Sequence, residues 1–190
     1  MSRADVHPVT QCSRRGDWIC TYTGIKFYPL DPRPEEVDIR DIAHALANIC
    51  RFNGHCVRFY SVAQHSVLVS RIVPAKFAFE ALLHDAAEAY VSDCPTPIKR
   101  ELQLLTIMEH LVMGAIASRF GLPKDGFHAE IHEADLIALA TEKRDLMNAE
   151  RQDWGNLPVP MKDRIFPVCP AAAEAEFMGW FEELCPAAVR

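Results

Sequence analysis

No apolar run in the chain approaches the ~18 residues that a membrane-spanning helix needs. The first residues, MSRADVHPVTQCSRRGD, contain no apolar h-region, so a secretory signal is not expected. No C-x-x-C pair occurs among the seven scattered cysteines, which fits reduced thiols in a cytoplasmic protein better than a disulfide framework or a zinc knuckle. If the chain comes from a phage, that compartment is the host cytoplasm. No basic run extends beyond Arg14-Arg15 and the formal net charge is −6, which argues against binding polymeric nucleic acid. A small anionic substrate stays possible where cations gather locally. Internal repeats and low-complexity tracts are absent. Apolar residues make up 49% of the 190, enough for one globular domain over 1–190 with a sizeable core.

The arm over 1–16 reads as loosely packed. Trp18–Pro29 holds β-formers on both sides of Thr23-Gly24 and predicts a hairpin over 18–29. Leu30–Glu36 is too rich in proline to be helical throughout. Helical periodicity then takes over. Asp38 caps a helix through Ile39, Ile42, Leu46 and Ile49 that ends near Asn53-Gly54. Ser61 caps a second, Val62–Ile72, stopped by Pro74. Further helices are predicted over Lys76–Val91, Glu101–Phe120 (one helix or two), His128–Met147 and Ala171–Leu184. The stretch Trp154–Pro170, with four prolines, is a surface-wrapping loop that opens a C-terminal loop and helix over 154–190. The sum is an all-α helical bundle with a small N-terminal β-hairpin. The helices near 101–120 carry more apolar positions than one buried face needs, which predicts a homo-oligomer.

The chemistry concentrates in Ala81–Lys99. His84 and Asp85 stand side by side where the apolar pattern expects core, Glu88 follows one turn later, and Asp93 comes just before Pro95 and Pro97. A buried His-Asp pair is costly to desolvate, and a divalent cation offsets that. The pattern is not His-Glu-x-x-His, because Glu88 occupies the place of the second imidazole. Two inward-facing partners lie elsewhere. His65 has Val62 and Val69 at i−3 and i+4, and Asp135 has Ile131 and Leu139 at i−4 and i+4. Each alone is explained as well by a core His on a carbonyl or an Asp paired with Arg. Together with His84 and Asp85 they form a two-His, two-Asp set on three helices, the way bundles build metal sites. These ligand types suit Mn, Co, Fe, Zn or Mg rather than a soft metal.

His65…His84-Asp85…Asp135 resembles the H…HD…D signature of the HD-domain metal-dependent phosphohydrolases. The block HDAAEAYVSDCPTPIK is similar to the H-D-x-x-E-x-x-x-x-D-x-P-T-P-x-K block of the deoxyribonucleoside 5′-monophosphatase branch, and the small phage dATP triphosphohydrolases are similar in size and plan. The likeness covers a core of about 39–146. The 18 residues between His65 and His84 make a shorter connection than that branch has, so mono- and triphosphate substrates both stay open. The resemblance implies an HD-domain bundle with His65, His84, Asp85 and Asp135 on the metal. Glu88 would orient or deprotonate the attacking water, and Asp93 would contact the sugar. Arg51 would hold phosphate, and Phe52 stands where the monophosphatase has a tryptophan beside the sugar. A cation polarises a phosphoryl oxygen, Glu88 takes a proton, and Arg51 grips phosphate with two parallel bonds. Arg58 and Lys99 add charge, unless they are solvated surface cations.

The expected activity is hydrolysis of a 2′-deoxyribonucleotide, as a dNTP triphosphohydrolase (dATP being one candidate) or a dNMP 5′-nucleotidase. The alternatives are a non-catalytic nucleotide- or metal-binding module, and a phosphohydrolase on another nucleotide such as (p)ppGpp. Other histidines carry less. His128 and His132 at i,i+4 read as a helix face, His44 and His110 as helix-surface or helix-interface residues, and His55 as a turn or the mouth of the site. Trp18 and Trp154 read as packing residues.

Overall fold

The computed structural model describes residues 14–124, 126–148 and 152–187. Most of the arm predicted over 1–16 lies outside them, as do the last residues of the C-terminal segment. The described chain is mostly helical with one two-stranded antiparallel hairpin, β1 (Ile19–Cys20) and β2 (Lys26–Phe27), pairing Ile19 with Phe27 and Cys20 with Lys26. The helices are α1 (Ile39–Asn48), α2 (Val62–Ile72), α3 (Ala78–Leu82), α4 (Glu88–Val91), α5 (Thr96–Lys99), α6 (Gln103–Phe120), α7 (Ala129–Leu146) and α8 (Pro170–Leu184). None of them is long and apolar enough to cross a membrane.

Local chemistry sets the ends of the helices that matter. The carboxylate of Asp38 accepts the Arg40 N–H and caps α1, and Ser61 Oγ accepts the Gln64 N–H and caps α2. Helix α1 ends at Asn48, short of the predicted Asn53-Gly54 stop. A loop joins it to α2, closed at its base, where Arg51 N–H donates to Tyr60 O and Val62 N–H donates to Ile49 O. Inside this loop, Phe52 and Asn53 take left-handed angles (φ 54° and 52°), so the chain reverses within one short turn. Val57 N–H donates to Leu146 O and fastens the loop to α7.

Helix α2 lies at the centre, packed against α1, α3, α7 and α8. Its buried Val62, Ala63 and Val67 join Ile42, Leu46, Leu82, Ile116 and Phe177 in the main core, while Val69 meets Ala81, Ile131 and Ala138 in a second cluster. The hairpin is pinned to this core. Buried Asp41 accepts from Thr23 N–H at 2.6 Å and Thr23 Oγ1 at 2.9 Å, and Phe27 stacks on Tyr90 of α4 at 3.9 Å. The strap over 154–169 is tied down by Gln64, whose amide donates to Phe166 O and accepts from Val168 N–H.

The predicted single helix Lys76–Val91 is broken. A 3-10 turn over Ala75–Phe77 leads into α3, and α3 and α4 are separated by a run of tight turns over 83–87. His84 Nδ1 lies 2.7 Å from Ala81 O, the region of backbone that a continuous α-helix would engage, and the amides of Ala86 and Glu88 reach back only three residues. The side chain of His84 thus competes with the helix it interrupts, and the break turns His84 and Asp85 toward α2.

Candidate metal centre

Three elements converge on one point. His65 comes from the middle of α2, fully buried; His84 and Asp85 come from the α3–α4 turn; Asp135 comes from the second turn of α7. His65 Nε2 lies 3.2 Å from Asp135 Oδ1 and 3.5 Å from Asp85 Oδ2, and His84 Nε2 lies 3.2 Å from Asp85 Oδ2. One ligand atom each from His65, His84 and Asp135 falls within 4.8 Å of the others. That trio could hold a metal ion. Both Nε2 atoms are buried, and neither makes an aligned hydrogen bond among the described residues. Two orphaned imidazole nitrogens facing two carboxylates are a donor set that fits a divalent cation.

The opposite ring nitrogens explain why. His65 Nδ1 sits 2.7 Å from Glu142 Oε1, and His84 Nδ1 sits 2.7 Å from Ala81 O. Both partners only accept, so each Nδ1 carries the proton and donates it. In the neutral ring that leaves each Nε2 as a bare lone pair aimed at the centre. Glu142 is itself anchored, because its Oε2 accepts from Arg51 Nη2 at 3.0 Å. Arg51 Nη1 lies 3.7 Å from Asp85 Oδ2, and its buried Nε has no acceptor among the described residues.

Charge follows from this packing. Burial and Arg51 push the His65 pKa down, but Glu142 and Asp135 overcome both and lift it to about 10. Burial resists ionisation of Asp85, yet His84, His65 and Arg51 hold its carboxyl well below the usual carboxylate range. Asp135 is held at about 2 by His65 and His84 against the pull of burial. Burial pushes Glu88 up to about 9, with Asp85 and Asp93 adding to it. Burial also raises Asp93, where Arg51 opposes and Asp85 assists.

Glu88 stands at the first turn of α4, 8% exposed, with Oε2 unpaired among the described residues. A cavity of about 190 Å³ opens beside it, lined by His84, Asp85, Glu88, Lys99, His110 and Phe127 among others. Ser92, ahead of Asp93, has φ 75° and ψ 151°, a conformation suited to glycine. Its N–H donates to Glu88 O at 2.8 Å, so the strain sits where the chain swings from Glu88 to Asp93.

The other predicted side chains divide. Lys99 lines the cavity but is paired with Glu109 at 2.8 Å. The half-buried Phe52 ring lies 5.2 Å from the Arg51 guanidinium and 6.0 Å from the Trp154 ring. Arg58 is exposed, with no charge partner among the described residues. His55 is also exposed, and its backbone N–H closes the turn onto Phe52 O. His128 is tied to Glu80 at 2.7 Å and packs on Phe77, so it does not pair with exposed His132. His44 is held by Glu174 at 3.0 Å and stacks on Tyr22.

Glu142 is the residue that sequence reasoning missed. It lies in the charged run ThrGluLysArgAsp, which looks like a solvated face. The available signal was its spacing of seven from Asp135, two turns further along the same helix face.

No family model matches the chain. It is 35% identical over 116 residues to an uncharacterized protein of Rhodobacter capsulatus, covering 56% of this chain and 59% of that protein. Over 170 residues it is 43% identical to the uncharacterized protein YfdR of Escherichia coli K12, covering 88% of this chain and 95% of that protein. At that identity and coverage, the chain belongs to the YfdR family.

Proposed function

We propose that this chain is an HD-domain metal-dependent phosphohydrolase acting on 2′-deoxyribonucleotides. The observation that carries the reading is the convergence of two buried imidazole Nε2 atoms without hydrogen-bond partners among the described residues on Asp85 and Asp135, beside the buried carboxyl of Glu88, whose Oε2 is also unpaired there. His65, His84, Asp85 and Asp135 would hold the cation, of the Mn, Co, Zn, Fe or Mg class. Bound there, it would supply a Lewis acid for a phosphoryl oxygen and lower the pKa of a water toward ~7.

The remaining roles belong to the chain. Glu88 takes the proton from the attacking water as a bond forms to phosphorus and the ester oxygen leaves. It carries its own proton at neutral pH while only protein charges surround it, so a nearby cation is needed to ionise it. Arg51 keeps Nη2 on Glu142 and offers its unpaired Nε to a phosphate oxygen. Asp93 accepts a hydrogen bond from the sugar 3′-hydroxyl, and the Phe52 ring, beside Arg51, borders the sugar. A purely structural metal site would need the four ligands but neither Glu88 nor Asp93.

The test is a phosphate-release screen over all dNMPs and dNTPs with Mn, Co, Zn, Fe and Mg. Release from at least one deoxynucleotide, abolished by His84→Ala, is expected. Orthophosphate from a monophosphate identifies a nucleotidase, and tripolyphosphate from dATP a triphosphohydrolase. No release from any substrate with any metal overturns the reading.

A further inference from the structure

Helix α6 is apolar on two faces and buries only one. Val112, Ala115, Ile116 and Phe120 lie in the core, while Leu104, Ile107 and Leu111 on the other side are 60%, 53% and 39% exposed. The exposed positions 104, 107, 111, 114 and 118 alternate steps of three and four, the seam of a helix that pairs with another helix. The last two are small, Gly114 and Ser118. A glycine within a helix costs about 1 kcal/mol relative to alanine. A Cβ at Gly114 would meet nothing within 4 Å, so no described part of this chain requires the gap.

We propose that this face binds a second copy of the chain, through an antiparallel pairing of α6 with its mate about a two-fold axis at Leu111. In that register Leu111 meets the partner's Leu111, Leu104 meets the partner's Ser118, and Ile107 approaches the partner's Gly114. Large lies against small at both ends, the self-match that a two-fold interface demands. A parallel pairing would set Leu104 on Leu104 and leave glycine facing glycine.

The area fits this occupant. With Ile98 and Leu102, 48% and 45% exposed, the seam leaves apolar surface in water. It amounts to about 400 Å² per copy, as much as the largest patch on an ordinary monomer. Two copies hide about twice that, and since apolar atoms make up about 60% of an interface the total reaches ~1,300 Å². Specific, stable interfaces begin near ~1,200 Å². His110 of α6 is exposed and also lines the cavity beside Glu88, so the interface borders that cavity. The pairing itself does not depend on the activity.

Sedimentation equilibrium of the full chain tests it. Twice 21.4 kDa is expected at about 50 μM. Gly114→Leu fills the notch on an exposed face where a Cβ meets nothing within 4 Å, so it is expected to sediment at 21.4 kDa with unchanged helical circular dichroism. Leu104→Ser and Ser118→Leu are each expected to weaken association at least tenfold, and the double swap to restore it, because only the antiparallel register sets those positions against each other. A wild-type monomer overturns the proposal, whether residues 1–13 or a different protein covers the face. A dimer that survives Gly114→Leu, or a double swap no tighter than the singles, overturns it as well.

Discussion

Glu142 Oε1 lies 2.7 Å from His65 Nδ1, and neither side chain is exposed to solvent. This contact sets which nitrogen of His65 faces the metal position, and through Arg51 it links the phosphate-binding candidate to the metal-binding one. Glu142→Gln keeps the shape and an accepting oxygen but loses the charge. Metal affinity is expected to fall by roughly 10–100-fold, the usual effect of a partner behind a metal ligand. Titration calorimetry on variant and parent measures it, and equal affinities would show that Glu142 is only a packing residue.

Glu88 and Asp85 are expected to separate by assay. Asp85→Ala should lose bound metal and all turnover. Glu88→Gln should keep the metal and lose about 10²–10⁴-fold in kcat, the range of general acid–base roles. Metal analysis and kinetics on the same samples decide it. If Glu88→Gln lost metal as Asp85→Ala does, Glu88 would be a ligand.

The raised His65 pKa has a sign that can be tested. Its value of about 10 in the fold lies above its ordinary 6.5, so protonated His65 favours the metal-free fold below about pH 6.5. That contribution is lost as pH rises through about 10. Metal-free protein is therefore expected to lose melting temperature from neutral toward alkaline pH. A cation needs the unprotonated ring, so its affinity should rise over the same span, and uptake near pH 8 should release about two protons, one from His65 and one from Glu88 as the cation ionises it. Calorimetry in buffers of different ionisation enthalpy counts those protons, and Glu88→Gln leaves only the one from His65. Zero release would mean that His65 is neutral before the metal arrives.

Ser92 holds a glycine-like backbone in the link between Glu88 and Asp93. Ser92→Gly should relieve about 1 kcal/mol and raise the melting temperature by ~2–4 °C. Ser92→Ala, with the same Cβ, should not. A gain in Ser92→Ala equal to that in Ser92→Gly would place the effect in the hydroxyl rather than the backbone.

Helix α2 shows what was legible. Ser61 and Pro74 mark its ends, and Val62 and Val69 around His65 give its inward face; all are local signals, and the observed helix matches them. The Leu83–Ala87 break was not legible. The apolar spacing of Phe77, Ala81 and Leu82 runs straight into it, and only the fold shows the His84 ring on Ala81 O. Glu142 was hidden for a related reason. A carboxylate among Lys143, Arg144 and Asp145 looks solvated until the tertiary structure sets it between His65 and Arg51.

On the proposed function, Phe52 is expected to carry the choice of sugar. Its left-handed backbone (φ 54°) follows directly on Arg51 and sets its ring beside that guanidinium, with Trp154 behind it. In the proposed arrangement an apolar wall there offers no partner to a 2′-hydroxyl, while Asp93 accepts from the 3′-hydroxyl. The two effects are unequal. A missing 3′-hydroxyl leaves a half-buried carboxylate unpaired, and an added 2′-hydroxyl only meets a ring. Deoxyribonucleotides are therefore expected to exceed ribonucleotides in kcat/KM by about 10–100-fold, and 2′,3′-dideoxynucleotides to be poorer still. Phe52→Ala should narrow the deoxy/ribo ratio, and as the backbone there is left-handed for alanine too, the turn gains no relief. If Phe52 only packs against Trp154, the variant loses stability and keeps its ratio. Measuring kcat/KM for a matched deoxy/ribo pair on both proteins, with a melting curve for each, separates the two. Equal wild-type values for the two sugars would remove the sugar wall from the proposal however the variant behaved.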